Sequence, residues 1–298
     1  MIGKIKHHLF DDQKKLIVFV AMSGFIIFNI IFFFIPLGYG IIGSFSNWNP
    51  LQGTMDFIGI ENYISILSSS LFKISLKNTL VFSSSLIILR TGLGLVIAAG
   101  LYAMKKNDGI LRSLYFLPVI MPIVAVSMVW EWVYHPRVGL LNMILAAFGI
   151  VGKNWLMDKT LAMPAVIFMT AWKDVGYAVV IFMAALMNIP KSLYEAASID
   201  GANGYKSFRH ITVPMLKPTI IFIIITSLIS YFQSFVQIFV MTEGGPGTAT
   251  YVISYMIYNE AFENYRFGYA SALSVILFII ILLITAIQLK VLSRGDES

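Results

Sequence analysis

Residues 195–214, EAASIDGANGYKSFRHITVP, form a short amphipathic stretch between two long apolar runs, and its reading decides what kind of chain this is. Ser192 and Glu195 have capping-box spacing, which predicts a helix starting near Leu193. Gly201 is expected to end that helix. A second helical stretch is expected from about Tyr205, with Pro214, unable to continue a helix, fixing where the next element begins. On these local features the segment is either an ordinary helix-turn-helix connector or a docking surface for a partner.

The chain around it is 58% hydrophobic and only 12% charged, with mean hydropathy +0.82, against about 25% charged residues in an average soluble domain. Such a composition excludes a soluble globular domain and points to an all-α polytopic membrane protein. Apolar runs long enough to cross about 30 Å of hydrocarbon lie near residues 16–42, 80–103, 111–134, 161–189, 218–241 and 267–292. We read these as six transmembrane helices in a single domain over 1–298, with the amphipathic segment at 192–214 between the fourth and fifth. The first run follows a basic stretch, as a signal peptide would. Its apolar part is too long for one and lacks a small-residue cleavage site, so a retained anchor is expected.

Positive charge gathers at the amino terminus (Lys4, Lys6, Lys14, Lys15), the second connection (Lys105, Lys106, Arg112), the fourth (Lys191, Lys206, Arg209, Lys217) and the tail (Lys290, Arg294). By the positive-inside bias these segments, both termini and 195–214 are expected to be cytoplasmic. The net charge of +6 is accounted for by this asymmetry and calls for no nucleic acid. With no cysteine there is no disulfide or thiolate metal site.

No catalytic motif occurs, and the adjacent His7 and His8, His135 and His210 lie on three different segments, so neither an enzyme nor a metal site is expected. Gly149–Lys153, GIVGK, departs from a phosphate loop in its glycine spacing and in Asn154 where Ser or Thr belongs. A transporter without its own nucleotide site draws energy from an ion gradient or from another subunit.

Glu195-Ala196-Ala197, three residues, Gly201, nine residues, Ile211, one residue, Val213 and Pro214 resembles the E-A-A-x3-G-x9-I-x-L-P signature of permease subunits in binding-protein-dependent ABC importers. Val213 stands in place of the usual Leu. Asn188-Ile189-Pro190, Asp200, Leu117-Pro118, Asn78-Thr79, Phe57-Ile58-Gly59 with Glu61-Asn62-Tyr63, Thr242-Glu243-Gly244-Gly245-Pro246 and Gly268-Tyr269-Ala270-Ser271-Ala272 are similar to the carbohydrate-uptake branch. The resemblance covers nearly the whole chain, in the compact six-span form. It implies a permease in a bacterial plasma membrane, paired with a second homologous permease, two ATP-binding subunits holding ATP and magnesium, and an extracytoplasmic solute-binding protein. It also implies that Glu195, Ala196, Ala197, Asp200, Gly201, Ile211 and Pro214 belong to a coupling helix docked on the ATPase. Ala196 and Ala197 are small enough for close approach, and Gly201 allows the bend.

Polar residues inside spans usually face a cavity or a neighbouring helix. In the fourth run three or four of Thr170, Lys173, Asp174 and Tyr177 share a face by their spacing, and Ser227, Tyr231 and Ser234 form one stripe in the fifth. Both sets match positions where the family's maltose permease touches sugar, so they are the candidate substrate path, with Tyr231 suited to stacking on a pyranose. Val119 and Ile123, two further such positions, are apolar here, so the sugar need not be maltose. Lys173 and Asp174 could instead partner another helix, and Gln233 and Gln237 could be interhelical glue. Glu131, between Trp130 and Trp132, is read as a solvated acid in an aromatic belt or as an entrance gate. Gly94 and Ala98 have the spacing of close helix packing. The reading is an ATP-driven sugar importer's permease, for a di- or oligosaccharide, working by alternating access; the alternative is an ion-coupled secondary sugar carrier.

Overall fold

Helix periodicity is realised almost throughout. The computed structural model describes residues 18–20, 22–104 and 109–293. The expected cytoplasmic charges Lys4, Lys6, Lys14, Lys15, Lys105, Lys106 and Arg294, the side chain of Arg112, the start of the first run and both termini lie outside the described residues. The chain divides into two compact units, residues 1–66 with 260–275, and residues 67–259 with 276–298.

In the first unit, helix α1 (Val18–Ser44) leads into a hairpin that no sequence signal announced, β1 (Ser46–Asn49) and β2 (Thr54–Phe57), antiparallel with Ser46 opposite Phe57. The Asn49 side chain accepts from the amides of Leu51 and Gln52, and Gly53 turns with φ 64°. Asn62, in α2 (Glu61–Ser68), donates to the carbonyls of Ser44 and Ser46, both at 3.0 Å, while the Tyr63 hydroxyl meets Ser44 Oγ at 2.7 Å. Trp48 packs on Phe267, and a Cβ at Gly268 would collide with the Ser46 carbonyl. The family-like residues around Gly59 and Gly268 are therefore structural.

The second unit is built on α3 (Ser70–Ala103), α4 (Gly109–Ile120), α5 (Ile123–Val133), α6 (Leu140–Ala147) and α7 (Ala162–Met187). The 34 residues of α3 rise about 51 Å, so it extends beyond the hydrocarbon, and it begins ten residues before the expected span at 80–103. Asn78 donates to the carbonyls of Thr248 and Tyr251, and Thr79 Oγ1 accepts from the Ile253 amide, tying the 242–253 loop to α3. Gly94 lies against Ala178 of α7, where a Cβ would come within 2.6 Å of the alanine methyl, and Ala98 is fully buried. A Cβ at Gly176 would collide with the Tyr115 carbonyl of α4. Small residues thus set the spacing of three helices.

Two expected spans are not straight. The run at 111–134 is broken between α4 and α5, which are bent by 106°. Pro122, at the N-cap of α5, lacks the donor needed to carry the ladder through Met121. The run at 218–241 is two helices, α10 (Lys217–Phe232) and α11 (Val236–Thr242), separated at Gln233, where the polar pair Gln233-Ser234 leaves the helix. The phosphate-loop lookalike is a helix end: Gly149, with φ 71°, closes α6 through Gly149 N to Ala146 O and Ile150 N to Leu145 O. Asn142 then gathers the Pro136 and Lys153 backbone and the Trp155 indole into one hub.

The Gly176 contact yields a direct test. Gly176→Ala should destabilise the detergent-purified protein by about 1–3 kcal/mol, read as a lower thermal midpoint. Gly100→Ala, where a Cβ meets nothing within 4 Å, should be neutral or gain up to about 1 kcal/mol. Equal midpoints for the two variants would contradict the close approach.

Candidate functional site

The 191–216 segment forms a compact exposed pair of helices. Helix α8 (Lys191–Ile199) has no buried residue. It begins two residues earlier than predicted, and the capping box is not made: Pro190 occupies the N-cap position with no side-chain cap. Pro190 presets its own φ and forces the preceding residue out of the helical region, which starts the helix without help from Ser192. Gly201, at φ 72°, ends it as expected, with Gly201 N on Ser198 O and Ala202 N on Ala197 O.

Asn203 then caps the second helix, its Oδ1 accepting from Lys206 N at 2.9 Å. This helix, α9 (Gly204–Met215), runs through Pro214, contrary to expectation. A π turn at Phe208–Thr212 widens the ladder just ahead of the proline, accommodating a residue that cannot donate. The bend comes later, 62° between α9 and α10. Tyr194 and Thr212 join the two helices through their hydroxyls at 2.9 Å, and Tyr194 and Ile211 pack on a core that includes Leu186 and Leu216. Glu195, Ala196, Asp200, Gly201 and Pro214 face outward, and Ala197 is half-buried. Ile199 and Tyr205, 88% and 69% exposed, are apolar groups this chain leaves uncovered.

A second cluster lies among α3, α7 and α10. Lys173 Nζ donates to the Val119 carbonyl at 3.2 Å and pairs with Asp174 at 3.5 Å. Tyr177 and Tyr231 both face the guanidinium of Arg90, whose Cζ lies 4.4 Å and 5.7 Å from the two ring centroids. Asp174 and Arg90 both approach the Tyr231 phenol, but neither contact meets hydrogen-bond geometry. Ser227, one helical turn away, is fully buried with its hydroxyl also unpaired. The arrangement gathers two aromatic rings, a guanidinium and a serine hydroxyl among three helices, with Arg90, Tyr231 and Ser227 all buried. Thr170 and Ser234 differ: each hydroxyl donates to the carbonyl four residues earlier, Thr170 to Val166 O within α7 and Ser234, just past the end of α10, to Ser230 O. Gln237 is buried, and Glu131 lines a cavity of about 620 Å³ with Tyr134, His135, Thr242 and Glu243.

The model of the family described as "Binding-protein-dependent transport system inner membrane component" matches residues 90–295. The chain belongs to this family. It is a permease subunit of an ABC importer, a transport component and not an enzyme. The permease is 34% identical over 277 residues to the multiple sugar-binding transport system permease protein MsmF of Streptococcus mutans, covering 91% of this chain and 93% of that one. It is 33% identical over 282 residues to the sn-glycerol-3-phosphate transport system permease protein UgpA of Agrobacterium fabrum, covering 94% and 96%. Its fold is that of a chain in the crystal structure of a bacterial ABC transporter involved in the import of the acidic polysaccharide alginate, with TM-score 0.80, 24% identity and 95% and 97% coverage. An ion-coupled secondary carrier finds no support in these comparisons.

Arg90 is the residue that sequence reading missed. It was absorbed into an apolar run, although one arginine within such a run is itself the signal of a functional position. Asn203 was missed likewise, although Asn just ahead of a helical stretch is a favoured N-cap. Asn203→Ala should remove about 1 kcal/mol of local stability, speeding amide exchange at residues 204–207 roughly fivefold by that energy without changing exchange in α7. Unchanged exchange at 204–207 would mean that the cap contributes nothing.

Proposed function

We propose that this permease carries a sugar, a di- or oligosaccharide, across a bacterial plasma membrane by alternating access. Its 191–216 helix pair is the surface on which an ATP-binding subunit docks. The observation that carries the reading is a helix pair ordered by its own caps and hydroxyl contacts, yet exposing Ile199 and Tyr205 while burying nothing of α8. A segment with that exposure gains its apolar burial only against a partner.

Two ATP-binding subunits, each holding ATP and magnesium, a second homologous permease and an extracytoplasmic binding protein complete the machine. The chain is one membrane domain with six crossings, the bent pairs counting as one crossing each, and both termini are cytoplasmic. ATP-driven closure draws the docked helices together and opens the path outward; hydrolysis returns it. Thr170, Lys173, Asp174, Tyr177, Ser227, Tyr231 and Ser234 line that path, and Glu195, Ala196, Ala197, Asp200, Gly201, Ile211 and Pro214 form the coupling surface. The sugar-linked names of the relatives support the solute class. The unpaired Tyr231 and Ser227 hydroxyls support the path.

The coupling surface is tested at Gly201. A Cβ there meets nothing within 4 Å in this chain, and Asp tolerates positive φ better than most residues, so Gly201→Asp should leave the subunit itself folded. The assembled complex should then lose its ATPase subunits on purification or hydrolyse ATP without moving sugar. Under oxidation, a cysteine at Ala197 should form a disulfide with a cysteine placed across the docking groove of the ATPase. Wild-type transport by Gly201→Asp, or no crosslink from Ala197, would end the assignment.

The path is tested separately. Tyr231→Ala should lower sugar-stimulated ATP hydrolysis and uptake at least tenfold, the size expected when buried polar partners of a solute go unmatched. Basal hydrolysis should persist. Normal uptake with unchanged apparent affinity would remove Tyr231 from the path.

A further inference from the structure

Arg90 stands in the middle of α3 with 7% exposure, and its Nε–H has no hydrogen-bond partner. The two tyrosine faces stabilise its charge, but attraction to a ring does not satisfy N–H donors that lie in the guanidinium plane. Asp174, which like Arg90 lies within electrostatic reach of the Tyr231 phenol, is already paired with Lys173 at 3.5 Å. The cluster therefore holds two cations and one carboxylate. A cation held inside a membrane bundle with neither a full counter-charge nor full hydrogen bonding is costly, and such a residue marks a solute pathway.

We propose that Arg90 makes this permease selective for a sugar bearing a negative charge, a carboxylate or a phosphate, received by the guanidinium, whose Nε–H has no partner, while Tyr177 and Tyr231 hold the ring. The inference rests on the reading that Tyr177 and Tyr231 line the solute path. A guanidinium presents its donors in a planar fork that fits both anions, which a neutral hydroxyl uses only in part. Arg90 is thus a specificity-determining residue, and the excess positive charge of the cluster is complete only with the solute in place. The competing source of an anion is a carboxylate from the companion permease, which would make Arg90 a fixed interface charge.

The sequence contains no cysteine, so Tyr177→Cys places a single thiol beside the guanidinium. The complete transporter, with cysteine-free partner subunits, is reconstituted in liposomes. It is treated with neutral (hydroxyethyl), anionic (sulfonatoethyl) and cationic (trimethylammonioethyl) methanethiosulfonates, and each rate is divided by that of a free thiol in solution. The anionic reagent should be favoured over the cationic one by about tenfold, as expected for one uncompensated charge at this range in a partly wet site. That preference should vanish when Arg90→Gln is added and persist with Arg90→Lys.

A thiol that reacts with the neutral reagent but shows no anionic preference while Arg90 is intact would overturn the proposal and leave the path standing. A cationic preference appearing on adding Arg90→Gln would then identify a companion carboxylate. A thiol that no reagent reaches in any nucleotide state would overturn the path reading itself. Protection from labelling by glucuronate or by glucose 6-phosphate, beyond that given by glucose, supports the proposal and tells carboxylate from phosphate. Equal protection by glucose would overturn it. If none of the three protects, the reagent ratio decides.

Discussion

The contact of α3 with α7, made possible by Gly94 lying against Ala178, is the constraint on which the second unit depends. Lipid offers no hydrophobic drive for one apolar helix to prefer another, so association rests on close packing, and only small side chains let backbones approach. Gly176 repeats the device on another face of α7, against the Tyr115 carbonyl. With α7 fixed on both sides, Tyr177, the next residue, is delivered to Arg90. A larger residue at either glycine would move the aromatic face away from the cation it covers.

The broken helices serve the same geometry. Both α5 and α11 follow interruptions, at Pro122 and at Gln233, and pack together to line the cavity containing Glu131 and Glu243. A straight helix through residues 111–134 would carry α5 away from this contact. Irregular backbone at membrane depth is tolerated where protein buries it or a cavity adjoins it. Phe235, at the second break, stacks with Phe239 and Tyr255, so the interruption is filled by aromatic surface.

Buried polar groups divide into two kinds. Thr79, Asn142 and the Tyr134 hydroxyl, which reaches the Ala165 carbonyl at 2.9 Å, are satisfied and fix loops and helices in place. Arg90 Nε and the hydroxyls of Ser83, Ser127, Ser227 and Tyr231 are buried without partners. Leaving such a group unmatched costs about 1–3 kcal/mol, and Arg90 and Tyr231, which face each other, carry that cost in one place.

The sequence alone determined the membrane class, the family and the exposed 195–214 segment, because these depend on hydropathy, on motif spacing and on Gly201, whose left-handed φ is a local property. Tyr231 and Asp174 were also legible as polar positions within apolar runs. The tertiary structure decided what depended on neighbours. It showed that Thr170 and Ser234 spend their hydroxyls on the carbonyls four residues earlier, those of Val166 and Ser230, and that Pro214 sits within a helix behind a π turn. It also showed that the helix from Lys191 needs no capping box. Above all it decided the surroundings of Arg90: a charge in an apolar run is visible to any reader of the sequence, but whether its donors are satisfied depends on side chains more than eighty residues away, brought to it by the packing of three helices.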